Sequence, residues 1–190
     1  MNRKFKAIVI GGSAGSFPLV AKILQEIPKN FPMPILLCLH RLKHVRHGFV
    51  EALSIKSNIP VLEPEDKESI KPGRAYLAPS NYHMYVELGN YFALSTEEMV
   101  KFSRPSIDLT FETASYVFKE KMVGIMLSGA NTDGAEGMFR AHKRGSYTIV
   151  QDPTEASVKT MPEGCLKLFQ PDEVLNVEKI IKFLQELQFN

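Results

Sequence analysis

Residues 6–16, KAIVIGGSAGS, constrain this chain more than any other stretch. Ala7, Ile8, Val9 and Ile10 form an unbroken apolar run, which suits a strand covered on both faces in a parallel sheet. Gly11, Gly12 and Gly15 follow. Glycine reaches backbone angles closed to other residues, so the chain can turn sharply here. Ser16-Phe17-Pro18 reads as a helix start, with Ser16 as the candidate N-cap and Pro18 in the first turn. Ser13 is thereby placed at a strand-to-helix turn, beside the free N–H groups of a helix N-terminus. Such a position binds an anion or holds a nucleophile.

The same alternation continues along the chain. Val20–Ile27 extends the first helix, and prolines 28, 32 and 34 end it before the apolar strand Ile35–Leu39, which stops at His40. A helical pattern at Phe49–Ile55 and a short strand at Ile59–Leu62 come next. Short strands at Arg74–Ala78, His83–Glu87 and Tyr91–Ser95 follow the turn signal Pro72-Gly73, and Gly89-Asn90 makes a hairpin of the last two. Residues 96–104 lack periodicity and read as a surface loop. Ser106 caps a helix continuing to Glu120, and Met122–Leu127 is another buried-type strand before a glycine-rich turn at residues 128–134. A helix at Ala135–Arg144, a strand at Tyr147–Val150, an element of undetermined type at Leu166–Phe169 and an Asn176-capped helix at Val177–Leu187 complete the chain. Strands alternating with helices predict an α/β fold: a doubly wound, mostly parallel sheet with helices on both faces and one antiparallel hairpin. No linker or repeat divides residues 1–190, so a single domain is expected.

Composition excludes several classes. A net charge of +2 gives no basic imbalance for nucleic acid. No apolar run approaches the ~20 residues that span a membrane, and the first four residues are too few and too polar for a signal peptide. Two cysteines, Cys38 and Cys165, make no disulfide framework, and Cys38 reads as a small buried hydrophobe in its strand. A cytoplasmic enzyme or binding protein is the default expectation.

Two phosphate-binding readings of the serine turn fail on spacing. Ser13 stands where the dinucleotide fingerprint needs its second glycine, and no Gly-Lys pair followed by Ser or Thr supplies a P-loop. Gly11-Gly12-Ser13-Ala14-Gly15 does match G-x-S-x-G, the nucleophile elbow. In open α/β sheets ligands bind beyond the carboxyl ends of the strands, and two further polar residues fall there. His40 ends the second strand, and Asp133 lies in the turn after Met122–Leu127. An imidazole that takes a serine proton, oriented by a buried carboxylate, activates an otherwise poor nucleophile. The plainer readings are a solvated histidine at a strand end and an aspartate serving only as a helix cap.

Several ordered stretches resemble the catalytic domain of the chemotaxis protein-glutamate methylesterases (CheB). They are GGSAGS around Ser13, His40 after its strand, Ala78-Pro79-Ser80 with His83-Met84, RPSID at residues 104–108, LSGANTDGAEG at 127–137 and QDPTEASVKTMPEG at 151–164. The resemblance runs from about Lys6 to Glu186. It implies a cytoplasmic Ser-His-Asp hydrolase without a cofactor that removes methyl groups from glutamate methyl esters on chemoreceptor helices, some members also deamidating glutamines. Motif by motif, the nucleophile falls on Ser13, the base on His40 and the orienting acid on Asp133. The Ala130 amide is the implied oxyanion donor, with amides near Ala14 as another.

The chain departs from the family in places. Ser13-Ala14-Gly15-Ser16 stands for S-T-G-G, His40-Arg41-Leu42 for H-M-P, and Gly129-Ala130-Asn131-Thr132-Asp133-Gly134 for G-M-G-x-D-G. No receiver domain fits before the first strand, so regulation is expected to be absent or to come from a separate protein. The rival expectation is a catalytically weak binding or scaffolding module in signalling. His40, His44 and His47 could form a metal cluster, though no shared face is assured, and no metal is expected. Residues 41–47 read as a solvated edge, or as a patch for acidic receptor helices. His83 is expected to pack in the hairpin, and Met161-Pro162 and Arg104-Pro105 to shape the cleft.

Overall fold

A computed structural model describes residues 4–41 and 48–187. In chain order the elements are β1 (Ala7–Gly12), α1 (Phe17–Glu26), β2 (Ile35–Leu39), α2 (Phe49–Ser54), β3 (Val61–Leu62), β4 (Ala75–Leu77), β5 (His83–Glu87) and β6 (Tyr91–Ser95). Then come α3 (Ile107–Phe118), β7 (Met122–Met126), α4 (Ala135–Lys143), β8 (Tyr147–Gln151), α5 (Thr160–Leu168), β9 (Glu173–Leu175) and α6 (Val177–Glu186). Seven strands form one parallel sheet in the order β3-β4-β2-β1-β7-β8-β9, and β5 with β6 forms the antiparallel hairpin. The doubly wound fold expected from the alternation of elements is the one observed.

The apolar run of β1 works as a two-faced strand. Ile8 and Ile10 point into a core completed by Val20, Ile23 and Leu24 of α1 and Ile180 and Leu184 of α6. Ala7 and Val9 face the opposite layer, where Phe111 of α3, Met138 of α4 and Met161 of α5 pack with the hairpin residues Met84 and Phe92. Fully burying one such side chain contributes about 1.5–3 kcal/mol, and burial on both faces makes β1 the axis of the fold. Strand order also reverses at β1: β2 lies on one side and β7 on the other. The crevice beyond the carboxyl end of a strand at such a switch point is the usual ligand position.

Three local readings change. Ser16 takes helical angles and does not cap α1; its Oγ donates instead to the Ser13 carbonyl oxygen at 2.6 Å. The element of undetermined type at 166–169 belongs mainly to α5, which starts at Thr160, and β9 adds an unanticipated edge strand. Cys38 is fully buried, as its strand position implied.

Candidate active site

The sheet itself brings the sequence-predicted residues together. Gly12 pairs with Leu39 in the parallel ladder, and the ladder runs one step further, the His40 N–H donating to the Gly12 oxygen at 3.0 Å. His40 thus follows β2 just as Ser13 follows β1, on neighbouring strands. On the other flank Gly11 pairs with Met126, Leu127 N–H donates to the Gly11 oxygen at 2.9 Å, and Ser13 N–H donates to the Ser128 oxygen at 2.9 Å. Gly15, with φ of +80°, completes the elbow; a side chain there would also run into Ser157.

Asp133 is fully buried and receives four hydrogen bonds. Its Oδ2 accepts from His40 Nε2 and from the Ile107 N–H, both at 2.7 Å. Its Oδ1 accepts from Ser106 Oγ at 3.0 Å and from the Asp108 N–H at 3.1 Å. The carboxylate therefore sits on the first amides of α3, where a helix favours negative charge. Burial alone would raise its pKa, but the bonds from His40 and from the Ile107 and Asp108 amides outweigh burial and hold the carboxyl below its ordinary range. Asp133 is not a helix cap for α4; Gly134 occupies that position.

The network assigns the His40 tautomer: Nε2 carries the proton donated to Asp133, which leaves an unprotonated lone pair on Nδ1. The Asn131 amide nitrogen lies 3.5 Å from Nδ1, while its oxygen accepts from the Asp133 N–H at 3.1 Å. Ser13 and His40 line one cleft of about 510 Å³. Ser13 Oγ has no hydrogen-bond partner among the described residues. Catalytic hydrogen bonds are often unmade until substrate is present. A hollow of about 630 Å³ between the hairpin and α3 contains none of these groups.

The amides of Ala14 and Ala130 are likewise free of hydrogen bonds among the described residues, whereas the neighbouring Ser13 and Gly129 amides are engaged. Gly129 brings its loop against the serine: a Cβ there would come 3.0 Å from Ser13 Cβ and 2.6 Å from the end of Met161. The loop is stitched down by groups that sequence reasoning missed. Ser128 Oγ donates to the Ala14 oxygen at 2.8 Å and accepts from the Val158 N–H at 2.9 Å; Gln151 Oε1 accepts from the Ser128 N–H at 2.8 Å. The motif at 151–164 thus braces both loops of the site.

His83 is buried in the hairpin layer, Nε2 donating to the Glu98 oxygen at 2.9 Å and Nδ1 accepting from the Ser106 N–H at 3.2 Å. It supports the start of α3 and so, at one remove, Asp133. Arg104 is held by Asn81 Oδ1 at 2.8 Å and lines the cleft. Arg41 departs from the solvated edge expected of residues 41–47. Its side chain is fully buried over Phe49, 5.5 Å from guanidinium carbon to ring centre, and among the described residues Nη2 alone is paired, to Glu63 and to the Ala78 oxygen at 2.8 Å. The rest of that basic loop, with His44 and His47 of the considered metal cluster, lies outside the described residues. Among the described residues no group of three or more His, Cys, Asp or Glu could hold a metal ion, and no helix is long and apolar enough to cross a membrane.

The doubly wound sheet thus sets a serine and a histidine–aspartate pair at its central switch point, an arrangement of the kind that α/β hydrolases use. The chain belongs to the CheB methylesterase family, whose profile matches residues 8–184. A Leptospira interrogans protein is 40% identical over 186 residues, covering 98% of this chain and 96% of that protein. The Thermotoga maritima protein-glutamate methylesterase/protein-glutamine glutaminase is 32% identical over 189 residues, covering 96% of this chain and 54% of that protein. The crystal structure of the T. maritima CheB methylesterase catalytic domain superposes with a TM-score of 0.91 at 32% identity, covering 96% of this chain and 98% of that one.

Proposed function

We propose that this chain hydrolyses glutamate methyl esters on chemoreceptors by acyl transfer through Ser13, His40 and Asp133. The observation that carries the reading is the buried His40–Asp133 pair opening onto the cleft shared with Ser13. In the first half-reaction Ser13 Oγ attacks the ester carbonyl carbon while its proton passes to His40 Nδ1. The negative charge that develops on the carbonyl oxygen is met by the free amides of Ala14 and Ala130. Collapse breaks the bond to methoxide, which leaves as methanol with the proton from His40. In the second half-reaction water attacks the acyl-Ser13 ester, giving its proton to His40, and the glutamate carboxylate leaves as Ser13 regains a proton. Asp133 keeps His40 in the required tautomer and stabilises its cationic form. A glutamine side chain would follow the same course with ammonia as leaving group; the T. maritima relative is named a protein-glutamine glutaminase as well as a methylesterase. Methanol release from a methylated chemoreceptor fragment tests the reading. Ser13→Ala is expected to lower kcat/KM about a thousandfold or more; equal rates for the two proteins refute it.

A further inference from the structure

The loop before α3 contains a turn whose sequence and backbone disagree. Val100 and Ser103 exchange both backbone hydrogen bonds, at 3.2 and 2.9 Å, and close a turn with Lys101 and Phe102 at its tip. Both tip residues have positive φ, +48° and +61°. Tight turns of that hand select Asn-Gly or Gly-Gly, and a bulky aromatic is an outlier there. Lys101 is tied to the protein: its Nζ lies 2.8 Å from Asp108 Oδ2, at the same helix start that holds Asp133. Among the described residues Phe102 touches almost nothing. It is 96% exposed and adds nothing to the core, yet it lines the cleft of Ser13 and His40, and Met99 of the same loop is exposed as well. Backbone strain of this kind clusters at ligand-gripping sites, where surrounding contacts hold it in place.

A glutamate methyl ester side chain is small for the cleft. Pockets of ~300–1,000 Å³ hold drug-sized ligands, and this one measures about 510 Å³. The remaining space and the bare ring on its rim fit a polypeptide segment rather than an isolated ester. We propose that Phe102 is a docking residue for the protein that carries the scissile ester, its ring leaving water against apolar side chains that flank the modified glutamate. This rests on the Ser13 hydrolysis proposed above.

The test compares kcat/KM on a methylated chemoreceptor cytoplasmic fragment with kcat/KM on p-nitrophenyl acetate, and reads the ratio of the two. In Phe102→Ser the ratio is expected to fall roughly 10- to 100-fold, mainly through KM on the receptor. Phe102→Tyr, which keeps the ring, is expected to retain the native ratio. Phe102→Gly should lower the ratio while raising Tm by about 2–4 °C, because glycine relieves the left-handed strain. A ratio unchanged in Phe102→Ser overturns the proposal and leaves the ring to another partner. An equal loss on both substrates also overturns it, since the cleft itself is then disturbed. Ser13→Ala is read separately: survival of both activities there defeats the Ser13 mechanism, whatever the Phe102 ratio.

Discussion

Replacing Asp133 by asparagine changes one atom and leaves the side chain's shape intact, so the consequences follow from hydrogen-bond bookkeeping alone. All four partners of the carboxylate are donors: His40 Nε2, Ser106 Oγ and the Ile107 and Asp108 amides. An asparagine offers one accepting oxygen and one NH₂ group. Turned so that its oxygen serves Ile107 and His40, it sets NH₂ against the Asp108 N–H; turned the other way, it does so against Ile107 and His40. At least one buried amide loses its acceptor, which costs about 1–3 kcal/mol, and the surviving bonds lose their charge assistance. A total of about 2–4 kcal/mol follows, or a Tm lower by about 4–16 °C for a domain of this size. Catalysis falls further, by about 100- to 10,000-fold, because nothing then balances the His40 cation. The pH dependence fixes the cause. The folded-state pKa of Asp133 lies below its unfolded value of ~3.9. Its contribution is therefore fully present above that value and is lost as pH falls through the lower folded pKa. Urea unfolding at a series of pH values should show the native–variant gap constant near neutrality and closing in acid. A variant as stable as the native protein at pH 7, or a gap unchanged down to acid unfolding, refutes the reasoning.

Two other outcomes are expected. Gly129→Ala forces a methyl group against Met161 and Ser13 Cβ; the flexible thioether yields, so Tm should drop only a few degrees, while displacement of Ser13 lowers kcat by about 100-fold. Thermal melts beside ester hydrolysis check this, and an undiminished kcat contradicts it. Burial pushes the Cys38 thiol well above its ordinary value and Cys165 up to about 12. Neither should react with a thiol reagent at pH 8 in the native state, both should in urea, and rapid native labelling contradicts the burial.

Much of the fold was legible because burial on two faces leaves a plain mark. β1, β2 and β7 are strands of apolar residues and glycine with no polar side chain, and Ser106 and Asn176 cap their helices through side-chain oxygens, as their residue types announce. α5 carries Pro162 and Gly164, residues of low helix propensity, and from the sequence its type stays undetermined. Pro162 falls in the first turn, where no intrahelical N–H is needed, and Gly164 lies where a side chain would press on Thr132. β9 is short, exposed at its start and on the sheet edge, so it lacks a burial pattern. Ser13, His40 and Asp133 are singled out by asking which polar residues end the strands, and the fold sets them at one rim of the sheet. What holds them was not visible. The amides of Ile107, Asp108, Ala14 and Ala130 belong to the backbone path, and every sequence carries such amides; the Ser128 stitch uses a hydroxyl whose partners, Ala14 and Val158, lie far from it along the chain. Arg41 was misjudged because a basic run ordinarily lies in water; here the first of its cations turns inward over Phe49.

The seat of Asp133 on α3 reverses a familiar rule of substitution. The first helical position is ordinarily where proline is best tolerated, since its missing N–H has no intrahelical partner to lose. Ile107 occupies that position, and its N–H is one of the two shortest bonds to the carboxylate. Proline at 107 is therefore excluded by the aspartate rather than by the helix. Side chains at 107 and 108, by contrast, can be exchanged without freeing the carboxylate from their amides. This hold on the acid can outlast considerable drift in the letters of the chain, because half of it is written in the main chain.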